Sequence, residues 1–276
     1  MTNMLWNPSE ERKNSSLIQK FIEHTNLGFD NYFDLYNWSI NEIEVFWEEF
    51  WKFSGIIYSK NYESILTNPV MPGSKWFEGS RLNYAENLLS GNPEQIAIIS
   101  TGEGRKDKSF TFKELNEAVA SAQEGLKSLG VKEGTRVAAF VPNCIETVIL
   151  MLAVTASGAI WTSCSPDFGS QGVIDRFGQV EPSILVVANG YNYNGKVFGL
   201  EEKINGVLET IDSIKNVICI NFVSVSCNII HNSIISYNEL LFSSGNKPNF
   251  VQLPFDHPLY IMYSSGTTGP PKSIVH

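Results

Sequence analysis

From Gln95 onward, short apolar runs rich in β-branched residues alternate with segments of helical periodicity. The runs are QIAIIS (95–100), TRVAAFV (135–141), AIWTS (159–163), SILVVA (183–188), NVICINFV (216–223) and PLYIMY (258–263). Between them lies a helical stripe, Leu115, Ala118, Val119, Ala122, Leu126 and Leu129, introduced by a capping box of Thr111 and Glu114 and stopped by Gly130. A second helix is expected over Ile145–Ala156, and Val173, Ile174 and Phe177 mark a third. Strands that are apolar throughout, rather than alternating, are buried on both faces. With helices between them they predict an α/β domain built on a mainly parallel sheet. The stretch 224–236, SVSCNIIHNSIIS, is polar and irregular and reads as a surface loop with an edge strand.

Upstream the rhythm is different. WSINEIEVFWEEFWKFSG places Ser39 as an N-cap with Glu42 three residues on, followed by Ile43, Phe46, Trp47, Phe50 and Trp51 at helical spacing and Gly55 as a stop. Such an aromatic stripe is expected to pack on a neighbouring domain. Residues 68–91, rich in Pro, Gly and Asn, read as an irregular connector ending in a short helix over Ala85–Leu89. The organisation expected is a helical, aromatic-rich region over 1–92 and an α/β domain over 93–276.

Composition excludes several classes. At 43% hydrophobic and 18% charged, the 276 residues can bury a real core. A formal net charge of −9 argues against a diffuse nucleic-acid surface, though not against a local phosphate site made of backbone N–H groups and one lysine. The four cysteines form no CxxC pair and read as free thiols of a reducing compartment. The N-terminus lacks a signal-peptide pattern, and the longest apolar run, 147–161, is too short and interrupted for a membrane span. A soluble cytosolic protein, with no nucleic-acid partner and no membrane insertion, is the expectation. Asp167 and Glu146 show no partner in the sequence and are assigned no chemistry, and the four histidines have no motif around them.

The chemistry is concentrated in YIMYSSGTTGPPKSIVH, 260–276. A strand-like run leads in and SIVH reads as the start of another. Between them lie Ser264, Ser265, Gly266, Thr267, Thr268, Gly269, Pro270, Pro271 and Lys272. Glycines let backbone N–H groups converge, hydroxyls add donors, and the lysine adds a mobile positive charge, which together make a grip for phosphate. It is not a Walker A loop, because Lys272 follows proline rather than glycine and no helix follows. A flexible linker is the alternative, which the tight strand flanks disfavour.

YSSGTTGPPK resembles the phosphate-loop signature of the adenylate-forming enzymes. KWFEGSRLNYAENLL (75–89) is similar to the N-terminal region of the acetyl- and acetoacetyl-CoA synthetases. GAIWTSCSPDFGSQGVIDRFGQVEPSIL (158–185) resembles the acetoacetyl-CoA synthetases in particular. The resemblance implies a truncated adenylate-forming N-terminal domain with mainly parallel sheets flanked by helices, preceded by a helical N-terminal region. It implies a two-step ligase. A carboxylate, acetoacetate, attacks the α-phosphate of ATP to give an acyl-adenylate and pyrophosphate. Coenzyme A then takes the acyl group and AMP leaves. Carried over by resemblance, Ser264, Ser265, Gly266, Thr267, Thr268, Gly269 and Lys272 line the ATP phosphates, with Lys272 and Thr268 acting in catalysis and Mg²⁺ arriving with the nucleotide. The residue after the lysine is often glycine in that superfamily and is Ser273 here. Phe168 and Gly169 match a segment beside coenzyme A, and Lys196 is the basic residue placed to hold its nucleotide end. An ordinary turn and a solvated surface lysine stay open as readings of those three. Arg176 can be read as a phosphate contact or as part of a structural helix, the latter favoured by its neighbours. The acid could also be acetate, propionate or butyrate, and a non-catalytic nucleotide- or CoA-binding product is a further alternative. The superfamily's later segments are absent from this sequence, so the chain alone is expected to have little or no ligase activity. Cytosolic use of acetoacetate for lipid synthesis is the role the resemblance implies.

Overall fold

A computed structural model of the chain describes residues 5–241, 247–264 and 269–276. Residues 265–268, four of the loop positions named above, lie outside the described residues. The chain forms two compact units, Met1–Arg81 and Leu82–His276.

In the first unit, helices Leu17–Thr25, Tyr32–Asn41 and Ile43–Ser54 surround a small core of Phe21, Ile22 and Leu35, with Trp38, Phe46 and Phe53 packed on it. The aromatic stripe is used inside this unit. Trp51 is buried and stacks on Phe77 with ring centroids 4.6 Å apart, and Trp47 meets Trp76 edge-on at 5.6 Å. The capping box expected at Ser39 does not form. Ser39 lies inside Tyr32–Asn41 and donates to the Tyr36 carbonyl at 2.8 Å. That helix starts earlier because Asn31 Oδ1 accepts from the N–H groups of Phe33 and Asp34. Glu42 then joins the two helices as C-cap of one and N-cap of the next. Gly55 stops the second helix in a left-handed conformation, φ 62°, as its sequence position implies. The Pro- and Gly-rich connector is more ordered than expected. Lys75–Glu78 pairs antiparallel with Ser64–Thr67.

The second unit carries the expected α/β architecture. Its main sheet has seven strands: β1 (Arg136–Phe140), β2 (Ile160–Cys164), β3 (Ile184–Ala188), β4 (Asn216–Ile220), β5 (Ile234–Ser236), β6 (Tyr260–Tyr263) and β7 (Ser273–Val275). Their spatial order is β5-β4-β3-β1-β2-β6-β7, and every pairing is parallel except β6 with β7. Strand β5 sits at the edge, as the polar stretch 224–236 predicts. The runs at Ile96–Ser100 and Lys108–Thr111 do not join this sheet and form their own antiparallel ribbon.

Among the described residues the longer helices that cover the sheet are α1 (Phe112–Ser128), α2 (Ile145–Ala156), α3 (Ser170–Val180) and α4 (Glu201–Thr210). Side chains of a strand alternate between faces, so each strand supplies two cores. Val137, Ala139, Ile184 and Val186 pack with α1 and α2, whereas Ala138, Phe140, Leu185 and Val187 pack with α3 and α4. This double burial explains why the strands read as continuous apolar runs. The predicted capping box opens α1. Thr111 Oγ1 accepts from the Glu114 N–H at 3.2 Å, and Glu114 Oε2 accepts from the Thr111 N–H at 2.8 Å. Among the described residues no helix is long and apolar enough to cross a membrane. All four cysteines are free.

Glu146 has a partner that the sequence did not reveal. Its buried carboxylate accepts from Arg105 Nη2 at 3.0 Å, and the Arg105 guanidinium lies 4.3 Å from the Phe222 ring centroid. Burial alone would raise the carboxyl pKa. The Arg105 hydrogen bond and charge, its own backbone N–H and the neighbouring Cys144 thiol outweigh burial and hold it below the ordinary range. A depressed folded pKa contributes stability above the unfolded pKa of about 4.3, and that stability is lost as pH falls through the folded value. Glu146→Gln also strands Arg105, so at neutral pH it is expected to cost about 3 kcal/mol. The charged groups facing the site are Arg105 and Lys108, with Lys108 Nζ 3.9 Å from the carboxylate. Thermal melts should therefore show a gap between wild type and variant at pH 7 that narrows as pH falls below about 4.3. A gap independent of pH would refute the pairing as its source.

Candidate functional site

In an open parallel sheet, ligands bind beyond the carboxyl ends of the strands, where backbone and connecting loops leave a crevice. All the sequence-designated positions follow such ends. Phe168 and Gly169 come after β2, Lys196 after β3, and the glycine-rich loop after β6.

Strand β6 delivers the loop and β7 takes it back, with Tyr263 paired to Ser273. The loop is closed at its root. The Ser264 N–H donates to the Lys272 carbonyl at 3.1 Å, and the Lys272 N–H donates to Ser264 Oγ at 3.2 Å. Helix α3 holds the returning arm through one side chain. Gln179 Nε2 donates to the Pro271 carbonyl at 2.8 Å, and Gln179 Oε1 accepts from Ser273 Oγ at 3.3 Å. The backbone on both sides of Lys272 is thus tied down while its side chain is exposed. Gly269 is exposed on the same arm.

Strands β2 and β6 pair over only Trp161–Tyr260 and Thr162–Ile261. Beyond these residues lies a cavity of about 670 Å³, walled by Trp161, Cys164, Phe168, Arg176, Tyr263 and Ser264 among others. Thr162 Oγ1 bridges the gap, 2.8 Å from the Ile261 carbonyl oxygen and 2.9 Å from the Tyr263 hydroxyl. Burial pushes the Tyr263 phenol up to about 12, with the Thr162 hydrogen bond and the Arg176 charge pulling the other way. Burial likewise drives the Cys164 thiol up to about 11 against the pull of Arg176. Both groups are neutral at pH 7. Among the described residues the lining contains no carboxylate and no imidazole. These walls offer a ligand shape, hydrogen-bonding groups and the charge of Arg176.

Phe168 and Ser264 therefore share one cavity. Gly169 is the N-cap of α3, immediately beside Phe168. Lys196 is elsewhere. It opens the return strand of a hairpin, Gly190–Tyr193 with Lys196–Gly199, and lies exposed opposite Tyr193, outside the cavity lining. Tyr263, Thr162 and Gln179 were not singled out from sequence. Tyr263 has a signal, since it immediately precedes the loop. Thr162 and Gln179 have none, because their roles depend on the β2–β6 register and on where α3 packs.

The chain belongs to the AMP-binding enzyme family, whose sequence profile matches residues 86–276. The profile of the acetyl-coenzyme A synthetase N-terminus matches residues 32–88. The chain is 39% identical to the acetoacetyl-CoA synthetase of Gallus gallus over 290 residues, covering 100% of this chain and 43% of that protein. It is 36% identical to a malonamoyl-CoA synthetase of Penicillium aethiopicum, covering 99% of this chain and 40% of that protein. The solved structure of acetoacetyl-CoA synthetase from Streptomyces lividans superimposes with a TM-score of 0.92 at 34% identity, over 99% of this chain and 43% of that one. The chain thus spans less than half the length of these relatives.

Proposed function

We propose that the chain forms the phosphate-gripping part of an acid–thiol ligase that joins acetoacetate to coenzyme A at the expense of ATP. The observation that carries the reading is the loop root, where Lys272 is fixed through its backbone while its side chain is exposed. In adenylation, negative charge grows on the departing pyrophosphate. A preorganised cation and donors at those oxygens stabilise that charge more in the transition state than in the ground state. Lys272 is assigned this role, with Ser264, Ser265, Gly266, Thr267, Thr268 and Gly269 lining the phosphates and Thr268 acting beside the lysine. Among the described residues no three His, Cys, Asp or Glu side chains converge on a point. A Mg²⁺ ion would arrive with the nucleotide, held on phosphate oxygens and water as a hard, reluctantly dehydrated ion is. Phe168 and Gly169 are assigned to coenzyme A, with Lys196 as an outlying cation for its nucleotide end. The proposed setting is the cytosol.

A second reading has a specific observation behind it. A relative named for malonamoyl-CoA matches at 36% identity, close to the 39% of an acetoacetyl-CoA synthetase, so identity over this region does not single out the acid. Both readings are tested on protein isolated from its own cells by an N-terminal tag. ATP–pyrophosphate exchange is expected with acetoacetate and to be weaker with malonamate, acetate, propionate and butyrate. Preference for another acid would replace acetoacetate. Exchange with none of them would overturn the ligase reading.

A further inference from the structure

Arg176 is an unneutralised cation on a cavity wall. It lies within α3, as its neighbours in sequence imply, yet its guanidinium turns toward the ligand side of the sheet. The guanidinium carbon sits 4.4 Å from the Phe168 ring centroid and 5.8 Å from that of Tyr263. Nη1 donates to the Gly172 carbonyl at 2.7 Å. Among the described residues no carboxylate lies within ion-pair distance of it. The adjacent carboxylate, Asp175, accepts instead from Gln171 Nε2 at 2.7 Å. A half-buried guanidinium held between aromatic faces, with most of its five donors unused among the described residues, is poised to take up an oxyanion bidentately.

Which anion fits follows from its surroundings. Tyr263 directly precedes Ser264 at the loop root, and Gln179, one turn along α3 from Arg176, holds Pro271 and Ser273. One helix face therefore serves both the cavity cation and the phosphate-loop root. We propose that Arg176 is a second phosphate-recognition residue, reading a diphosphate bound in this cavity beside the loop. The inference rests on the ligase reading, which supplies two sources of that chemistry: the β- and γ-phosphates of ATP and the diphosphate of coenzyme A.

The test is calorimetric titration of the purified chain with inorganic pyrophosphate, ATP, coenzyme A and acetoacetate. Arg176→Met keeps an apolar stem on Phe168 and removes the charge, and Arg176→Lys keeps the charge and removes the fork. Wild type is expected to bind pyrophosphate. The methionine variant should weaken it by about tenfold to a hundredfold, and the lysine variant by less. A matching loss for ATP but not coenzyme A names the nucleotide as the source, and the converse names coenzyme A. Melting temperatures of the three proteins should agree within about 2–3 °C, because among the described residues only the hydrogen bond to the Gly172 carbonyl is lost. The inference is overturned if wild type binds none of the phosphates, if the methionine variant binds them as wild type does, or if only acetoacetate binding depends on Arg176. A Lys272→Ala control keeps the two proposals apart. Binding lost there and retained in Arg176→Met removes this inference and leaves the ligase reading standing.

Discussion

Lys272→Ala, introduced at the chromosomal locus, is expected to lower acid-dependent ATP–pyrophosphate exchange by about 10²–10³-fold, the usual cost of deleting one preorganised group that faces developing charge. The melting temperature should not move. The Lys272 backbone makes both root hydrogen bonds with Ser264, and these survive truncation of the side chain. The side chain is exposed, and substitutions of that kind stay within about 0.5 kcal/mol. Lys272→Arg should restore part of the rate, because it returns charge to the arm with a different reach. An unchanged rate would remove Lys272 from the proposed role. A rate loss accompanied by an equal fall in melting temperature would show that the lysine serves the fold instead.

That separation of rate from stability was foreseeable in part from sequence. A lysine after two prolines, between two strand-like flanks, is a local pattern, and the hairpin of β6 and β7 follows it closely. The parallel sheet was legible for a related reason. Burial on both faces leaves its mark on every strand residue, so TRVAAFV and SILVVA register as strands, and QIAIIS registers beside them on its β-branched composition although it is largely exposed. What they pair with does not register. Ile96–Ser100 joins Lys108–Thr111 in a separate ribbon, a choice made by tertiary packing rather than by either segment. Ser39 with Glu42 satisfied the capping-box spacing, yet Asn31 captured the helix start eight residues earlier. Short polar motifs fit many local arrangements, and a competing cap nearby decides among them. Glu146 looked solitary because Arg105 lies 41 positions away, in the turn between the two ribbon strands. Arg176 looked structural because its periodicity is helical. Periodicity reports that a residue is in a helix and says little about which cavity the far end of a long side chain reaches.

Asn189→Ala is expected to destabilise the second unit by about 3–5 kcal/mol, the largest loss of stability anticipated for a polar substitution in this chain. Asn189 follows β3 and is 3% exposed. Its amide uses its full capacity. Nδ2 donates to the carbonyls of Val223 at 2.8 Å and Val225 at 2.9 Å, and Oδ1 accepts from the N–H groups of Phe222 at 2.8 Å and Val223 at 3.0 Å. Its main chain is engaged too, donating to Ile220 and accepting from Leu200. One side chain thus replaces the ladder that β3 and β4 can no longer supply beyond their carboxyl ends. Alanine would strand two carbonyls and the Val223 N–H, each costing about 1–3 kcal/mol where water cannot reach it, while the Phe222 N–H keeps the Ile220 carbonyl as an acceptor at 2.9 Å. Partial solvation of 222–225 brings the sum down to the stated range. Asn189→Asp should be nearly as damaging, since it keeps the acceptors, turns both donors into repulsion against carbonyl oxygens and places a charge in the interior. In thermal melts the alanine variant should fall by about 10 °C or more, given about 2–4 °C per kcal/mol for a unit of this size. The consequence reaches the ligand side of the sheet. The 222–225 segment carries Phe222, on which Arg105 stacks, and the Asn189 carbonyl anchors Leu200 just after the hairpin bearing Lys196. Hydrogen exchange should therefore quicken at 189–200 and 220–225 before it quickens in β1 or β2. A melting point within 2–3 °C of wild type, or exchange that quickens uniformly across the sheet, would show that these four hydrogen bonds do not organise the ligand-side end of β3 and β4.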